Sequence, residues 1–338
     1  MAQLQARVKS LGAVLGAERG AIFGNPGSVR RPIAFLIIAF IVAWRVAPSF
    51  LTPDNLNALL ISSSFLIVLS VGEGFVIMQG MIDLGVESIM SASGMLAAYM
   101  YVFKDMPPGL AIFLTLLAGI AIGVAVGLLV TRVHIPSFIV TLATFWGFSG
   151  VALLYNQGNS ISPSQVTPAK EFTFLGISSY SLGGGISNLI ITSVIVVVLA
   201  QLVLSYTPVG TWMKSVGSSE AAARSVGLNT AIIKTGAFAV SGLLAALAGV
   251  MIAAWQDSIY PTSGQGYSLQ AIAAVILGGI PFTGGRGTVA GAAIGAVIIG
   301  MINNLIVLLG LPVLWDYIIV AIILVVAGLQ ARGGPFVK

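Results

Sequence analysis

Residues Gly109 to Thr131 read GLAIFLTLLAGIAIGVAVGLLVT, twenty-three positions without a charge. Wound as a helix at 1.5 Å per residue, such a run is long enough to cross the roughly 30 Å hydrocarbon core of a bilayer. Gly119, Gly123 and Gly127 recur in it every four residues. Small residues at that spacing line one stripe of a helix and let two helix backbones approach closely in lipid, where packing drives association. Gly287, Gly291 and Gly295 repeat the pattern further on, and both stripes read as packing seams.

The rest of the chain has the same character. Of 338 residues 57% are hydrophobic and 7% charged, and mean hydropathy is +1.04, against roughly a quarter charged in ordinary soluble domains. Ten apolar spans are expected: Pro32 to Leu51, Asn57 to Gly80, Val86 to Phe103, Gly109 to Thr131, Pro136 to Tyr155, Ile186 to Tyr206, Thr235 to Trp255, Ser268 to Gly279, Thr288 to Leu309 and Pro312 to Gln330. The eighth is too short to cross unaided, so it is broken or extends at one end. The fold class read from this pattern is an all-α polytopic membrane protein with about ten transmembrane helices. Residues 32–331 form its single transmembrane domain, 1–31 a cytoplasmic lead-in and 332–338 a cytoplasmic tail. The lead-in lacks a continuous apolar core and carries Arg7, Lys9, Arg19, Arg30 and Arg31, so it does not read as a cleavable signal peptide.

Cations orient the chain. With the N-terminus inside, the ten spans place Arg132, Lys214, Arg224, Lys234, Arg286, Arg332 and Lys338 inside with the five leading cations, and only Arg45, Lys104 and Lys170 outside. Twelve against three fits the positive-inside rule with both termini cytoplasmic. The net charge of +5 is this asymmetry. No clustered basic face or aromatic platform supports nucleic-acid binding.

The inside loop 207–234 holds the stretch SSEAAARSVGLN, Ser218 to Asn229, a short polar helix in an otherwise apolar chain. Ser218 is a suitable N-cap, Glu220 falls in the first turn where a carboxylate suits the helix dipole, and Gly227 suits the C′ position. Ala221 to Ala223 offer only methyl groups. On residue grounds the stretch is either a folded connector lying at the membrane surface or a docking element for a soluble partner.

Several motifs carry a resemblance. Glu220 to Gly227, reading EAAARSVG, resembles the EAA loop of bacterial ABC importer permeases, with Ser219 where that family's sugar branch has Asn. Gly80 to Ser88, GMIDLGVES, is similar to its G-G-I-D-L-S-V-G-S, departing at Met81, Gly85 and Glu87. Gly278 to Gly291 fits its G-G-x-x-x-x-G-G-x-G-x-x-x-G pattern, and Met301 to Leu305, MINNL, resembles its I-x-N-G-L with Asn304 in place of Gly. The matches run in order from the second span to the ninth. They point to the permeases of ribose, xylose, arabinose and autoinducer-2 importers.

That resemblance implies a bacterial inner-membrane subunit, set in membrane lipid, that works by alternating access with separate ABC ATPase subunits, a periplasmic solute-binding protein and a second permease copy.

 Residues 218, 220–224 and 227 (Ser218, Glu220, Ala221, Ala222, Ala223, Arg224 and Gly227) are thereby expected to couple to the ATPase. The chain has no G-x-x-x-x-G-K-[ST] loop of its own, and Gly284 to Gly287 lacks the lysine a phosphate cradle needs. The hydrolytic chemistry is therefore expected on the partner, and the chain is expected not to be an enzyme.

Other chemistries find little footing. A lone His134 beside Arg132 and an absence of cysteine leave no usual metal or thiol constellation, and no cofactor motif is present. The two Gly-rich breaks, Gly80 to Gly85 and Gly279 to Gly287, each follow an outside-to-inside span, which suggests a weak parallel repeat. Irregular backbone at membrane depth is tolerated where protein or a water cavity surrounds it, so both breaks are candidates for the centre of a pathway.

Candidate solute contacts are the polar and aromatic groups within spans: Glu73, Gln79, Asp83, Phe145, Trp146, Asn303 and Asn304. Glu73 either faces a hydrated pathway or is a protonated acid bonded to a neighbouring helix, since a charge at the bilayer centre costs at least about 2.5 kcal/mol. Asp83 and Glu87 are read as caps for the third span, and Asp316 as a solvated residue at an outer end. The outside segment 156–185, with Asp54, Asp105 and Asp257, offers a surface for a binding protein. A proton- or sodium-coupled transporter or channel using Glu73 is the competing reading; transport without ATP would distinguish it.

Overall fold

The computed structural model describes residues 29–165, 187–312 and 314–331. The leading cations Arg7, Lys9 and Arg19, most of the outer loop and the tail 332–338 lie outside the described residues. Among the described residues the chain forms twelve α-helices and no named strand. They are α1 (Arg30–Val46), α2 (Pro53–Ile77), α3 (Val86–Val102), α4 (Pro108–Thr131), α5 (Ser137–Leu154), α6 (Asn188–Tyr206), α7 (Pro208–Ser218), α8 (Glu220–Ser225), α9 (Thr230–Gln256), α10 (Tyr267–Leu277), α11 (Val289–Leu308) and α12 (Trp315–Ala331). Six of them, α2, α4, α5, α6, α9 and α11, are long and apolar enough to cross a membrane. The other four apolar helices coincide with the remaining expected spans but are shorter, α10 having only 11 residues.

Proline sets several boundaries. The first span stops at Val46 instead of continuing to Leu51, because Ala47 precedes Pro48 and is extended (φ −121°, ψ 106°), as a residue before proline prefers. The chain then makes one 3₁₀ turn, Pro48–Leu51. Pro53, Pro108 and Pro208 each occupy the first turn of a helix, where the missing N–H has no intrahelical partner to lose. The seventh span begins five residues earlier than expected, at Thr230, since Asn229 accepts the N–H of Ile232 and caps it.

Two helices form the centre. α2 and α9 are buried along most of their length, whereas α4, α5 and α6 expose most of theirs. α9 packs on α2, α3 and α4, and α2 packs on α6, α10 and α11. Glycine makes these approaches close, as the two stripes imply. A Cβ at Gly123 would stand 2.1 Å from the carbonyl oxygen of Phe238, and one at Gly242 would stand 2.2 Å from that of Gly119, so α4 and α9 touch backbone to backbone. The second stripe does the same for α10 and α11: a Cβ at Gly295 would meet the Ala274 carbonyl at 1.9 Å. Outward-facing Leu, Val and Phe side chains on α4 to α6 suit a lipid surround.

Candidate functional site

Both Gly-rich breaks start with one local structure. At the end of α2 the N–H of Met81 bonds the Val76 carbonyl and that of Gly80 bonds Ile77; at the end of α10 the N–H of Ile280 bonds Val275 and that of Gly279 bonds Ile276. These are Schellman caps, with Gly80 (φ +74°) and Gly279 (φ +89°) at C′, a conformation that costs a residue with a Cβ. Beyond its cap the second break meets the end of α2, where the first break starts: the Gly285 N–H donates to the Met78 carbonyl at 2.8 Å.

The first break turns back along α2 and delivers Asp83 to Glu73, both fully buried. The backbone N–H of Asp83 donates to Glu73 Oε1 (3.1 Å), while Asp83 accepts from the Gly85 N–H (2.9 Å) and from Ser241 Oγ of α9 (2.9 Å). Asp83 thus holds the backbone just ahead of α3 and ties it to α9. Glu73 Oε2 and, one turn earlier, Ser70 Oγ are buried without a hydrogen-bond partner. Burying a polar atom unpaired costs about 1–3 kcal/mol, which marks this stripe of α2 as a place where structure is not arranged for stability alone.

Glu87 does not cap its own helix. Its Oε2 accepts the Ser268 N–H at 3.0 Å, in the first turn of α10, 181 residues away. Ser268 Oγ donates to the Leu84 carbonyl (3.0 Å), and the Gly264 N–H donates to Ser91 Oγ (2.8 Å). The reason is geometric: a helix N-terminus presents free N–H groups and partial positive charge, and that of α10 lies beside the start of α3.

The remaining expected residues separate into groups. Gln79 is buried where α2 ends, its Nε2 3.4 Å from the Phe75 carbonyl and its Oε1 without a partner. Asn304 pairs reciprocally with Asn55 of α2 (2.8 and 3.1 Å), clamping α11 to α2. Asn303 donates to Gln270 of α10 at 3.4 Å, and Gln270 donates to Asp316 of α12 at 2.5 Å. Asp316 is therefore buried in an interhelical chain and not solvated. Phe145 and Trp146 pack edge to face on α5, with centroids 5.3 Å apart, but Trp146 is 70% exposed, whereas Glu73 and Asp83 are buried. What α5 brings to the first break is Thr144, against which a Cβ at Gly85 would stand 2.8 Å, and Thr141, whose hydroxyl is 3.4 Å from the Ile82 carbonyl.

The polar stretch of the inside loop forms α8, six residues capped at both ends. Its N-cap is Ser219, not Ser218: α7 runs through Ser218, the chain becomes extended only at Ser219 (φ −162°), and Ser219 Oγ accepts the Ala222 N–H at 3.2 Å. Gly227 takes the expected C′ position, with the Leu228 N–H on the Ala223 carbonyl. Glu220 turns inward. It accepts from Arg224 (2.7 Å), Thr230 (3.1 Å) and Lys234 of α9. Burial pushes its carboxyl up, but Lys234, Arg224 and Thr230 outweigh that and hold it at about 2. Ala223 is buried as well, while Ala221, Ala222, Arg224 and Ser225 of α8, and Val226 just beyond it, are exposed. A groove of about 480 Å³ runs beside it between α7 and α8. His134 lines a second crevice, of about 290 Å³, with Glu220, Arg224 and Lys234.

Residues 55–328, from α2 into α12, match the model of a family described as branched-chain amino acid transport system / permease component. The chain belongs to this permease family. It is 36% identical to the ribose import permease protein of Haemophilus influenzae over 88% of this chain and 91% of that one. It is 32% identical to the L-arabinose ABC transporter permease protein of Azospirillum brasilense (87% and 85%) and 30% identical to the xylose transport system permease protein of Escherichia coli (87% and 90%). No solved structure matches the chain. The protein is a multi-pass membrane permease of the ABC transporter class.

Within this permease, sequence reasoning missed Ser241, Ser268, Gln270, Thr230 and Lys234. Ser241, Ser268 and Gln270 carried a signal, a polar side chain in an apolar span, but nothing local told which carboxylate each would meet. Lys234 was counted only as an inside cation.

Proposed function

We propose that this permease is the membrane-spanning subunit of an ATP-driven importer that moves a monosaccharide or similar small hydroxylated solute inward by alternating access. α8 docks in a groove of a separate ATPase subunit, a periplasmic binding protein delivers the solute to the outer face, and two copies of the permease enclose the path. All ten apolar helices lie in the membrane with both termini cytoplasmic. The solute passes the region where the two breaks meet, with Glu73, Asp83 and Gln79 on one side and Asn303 near the outer end; Asn304 serves the packing of α2 and α11.

The observation that carries this reading is α8 itself, whose two charged groups pair with each other and with Lys234 while Ala221, Ala222 and Ser225 face outward. Small side chains let a partner approach closely, and the inward network keeps the helix in one orientation for that partner. The names of the relatives, importers of pentoses, support the solute class. The test uses the absence of cysteine. A single cysteine at Ala222, on the exposed face, is cross-linked in native membranes with and without ATP. Capture of a protein with an ATP-binding cassette, in a yield that changes with nucleotide, is the expected result. A cysteine that reacts with soluble reagents and never captures an ATPase refutes the reading and favours gradient-driven transport.

A further inference from the structure

Between α8 and the two breaks stands a joint made almost wholly of backbone. A Cβ at Gly217, in the last turn of α7, would lie 2.0 Å from the Met78 carbonyl oxygen and 2.5 Å from the Gly285 nitrogen. Those two atoms belong to the C-cap of α2, where the first break starts, and to the second break, and are themselves hydrogen-bonded to each other at 2.8 Å. The neighbours are as close: a Cβ at Gly285 would lie 2.5 Å from Ser218 Oγ, and one at Gly284 would lie 2.7 Å from the Gly80 nitrogen. Three segments far apart in sequence thus meet almost backbone to backbone, with the Ser218 hydroxyl set against Gly285.

We propose that Gly217 is a positioning residue for transport: it fits the end of α7 against the Met78–Gly285 bond, so that displacement of α8 reaches both membrane breaks together. This rests on the importer reading above. A flexible side chain at such a joint would absorb a displacement by changing rotamer, whereas backbone in van der Waals contact transmits it, because packed interfaces switch between arrangements and do not deform continuously. The link from α8 to α7 is also short, since Ser219 alone separates them. Beyond the joint, Met78 leads to Asp83, which is tied to Glu73 and Ser241, so the same movement arrives at the buried carboxylates. The contact asks for glycine at 217 although its backbone is helical, a requirement of space and not of conformation.

The test is the ratio of solute imported to ATP hydrolysed by the permease reconstituted with its ATPase and binding protein. Gly217→Ala is expected to lower that ratio about fivefold or more, the lower end of typical coupling between sites, with ATP hydrolysis retained. Gly236→Ala, where a Cβ meets nothing within 4 Å, leaves it unchanged. A ratio unchanged in Gly217→Ala overturns the inference, while wild-type uptake that needs no ATP overturns the importer reading and the inference with it. Should Gly217→Ala not fold, hydrogen exchange on the wild-type complex decides: trapping nucleotide must change exchange in peptides 76–86 and 276–289 together, and a change in one or neither overturns the joint.

Discussion

Replacing Glu73 separates a structural acid from a working charge. Its Oε1 accepts the Asp83 N–H at 3.1 Å, and both residues are fully buried. Glu73→Gln keeps an acceptor oxygen and nearly the same volume, but cannot ionise. Glu73→Ala leaves the Asp83 N–H without its partner, about 1–3 kcal/mol, and removes one buried methylene at about 0.8 kcal/mol. The sum is about 2–4 kcal/mol, an expected fall of about 4–8 °C in the melting temperature at about 2 °C per kcal/mol. Thermal loss of the monodisperse species in detergent measures the fall, and uptake into proteoliposomes containing the ATPase and binding protein measures function. Glu73→Gln should retain uptake within a factor of about two, because an ATP-driven cycle asks no proton transfer of this group. If Glu73→Gln folds normally and uptake is abolished, the ionisable carboxyl is itself used and the reasoning is refuted. A melting temperature in Glu73→Ala equal to that of the wild type would remove the pinning role.

Two further predictions concern packing and charge. Gly123→Ala forces a Cβ to 2.1 Å from the Phe238 carbonyl and should destabilise by about 1–3 kcal/mol, whereas Gly236→Ala, in the open on α9, should be neutral or stabilise by about 0.5–1 kcal/mol; melting curves in detergent check both. Glu220 is held at about 2 in the folded protein against an ordinary 4.5. Its stabilisation is therefore complete above about pH 4.5 and is lost as pH falls toward 2. The difference in melting temperature between wild type and Glu220→Gln should be constant from pH 5 to 8 and close in acid; because the side chain is 35% exposed, its worth is under about 1 kcal/mol.

The sequence by itself determined the class of fold. Hydropathy and helix propensity act over stretches shorter than one span, so Gly109 to Thr131 is legible as a membrane helix without knowledge of its neighbours; the stop at Ala47-Pro48, which the expected first span ran past to Leu51, follows from an equally local rule. The glycine stripes announced close contact, and the SSEAAARSVG stretch announced a small capped helix. What they could not announce was the partner. Ser241 meets Asp83 across 158 residues, Asn304 meets Asn55 across 249, and Glu87 caps α10 and not α3. Each pairing depends on how separate helices cross, which is fixed by packing of the whole bundle. The same holds for Trp146, apolar and aromatic in sequence but turned outward by the face of α5 that packs on α3. The difference is one of range: a span is chosen by the local solvent preference of its side chains, while a buried polar atom takes whichever donor the tertiary structure brings within 3 Å.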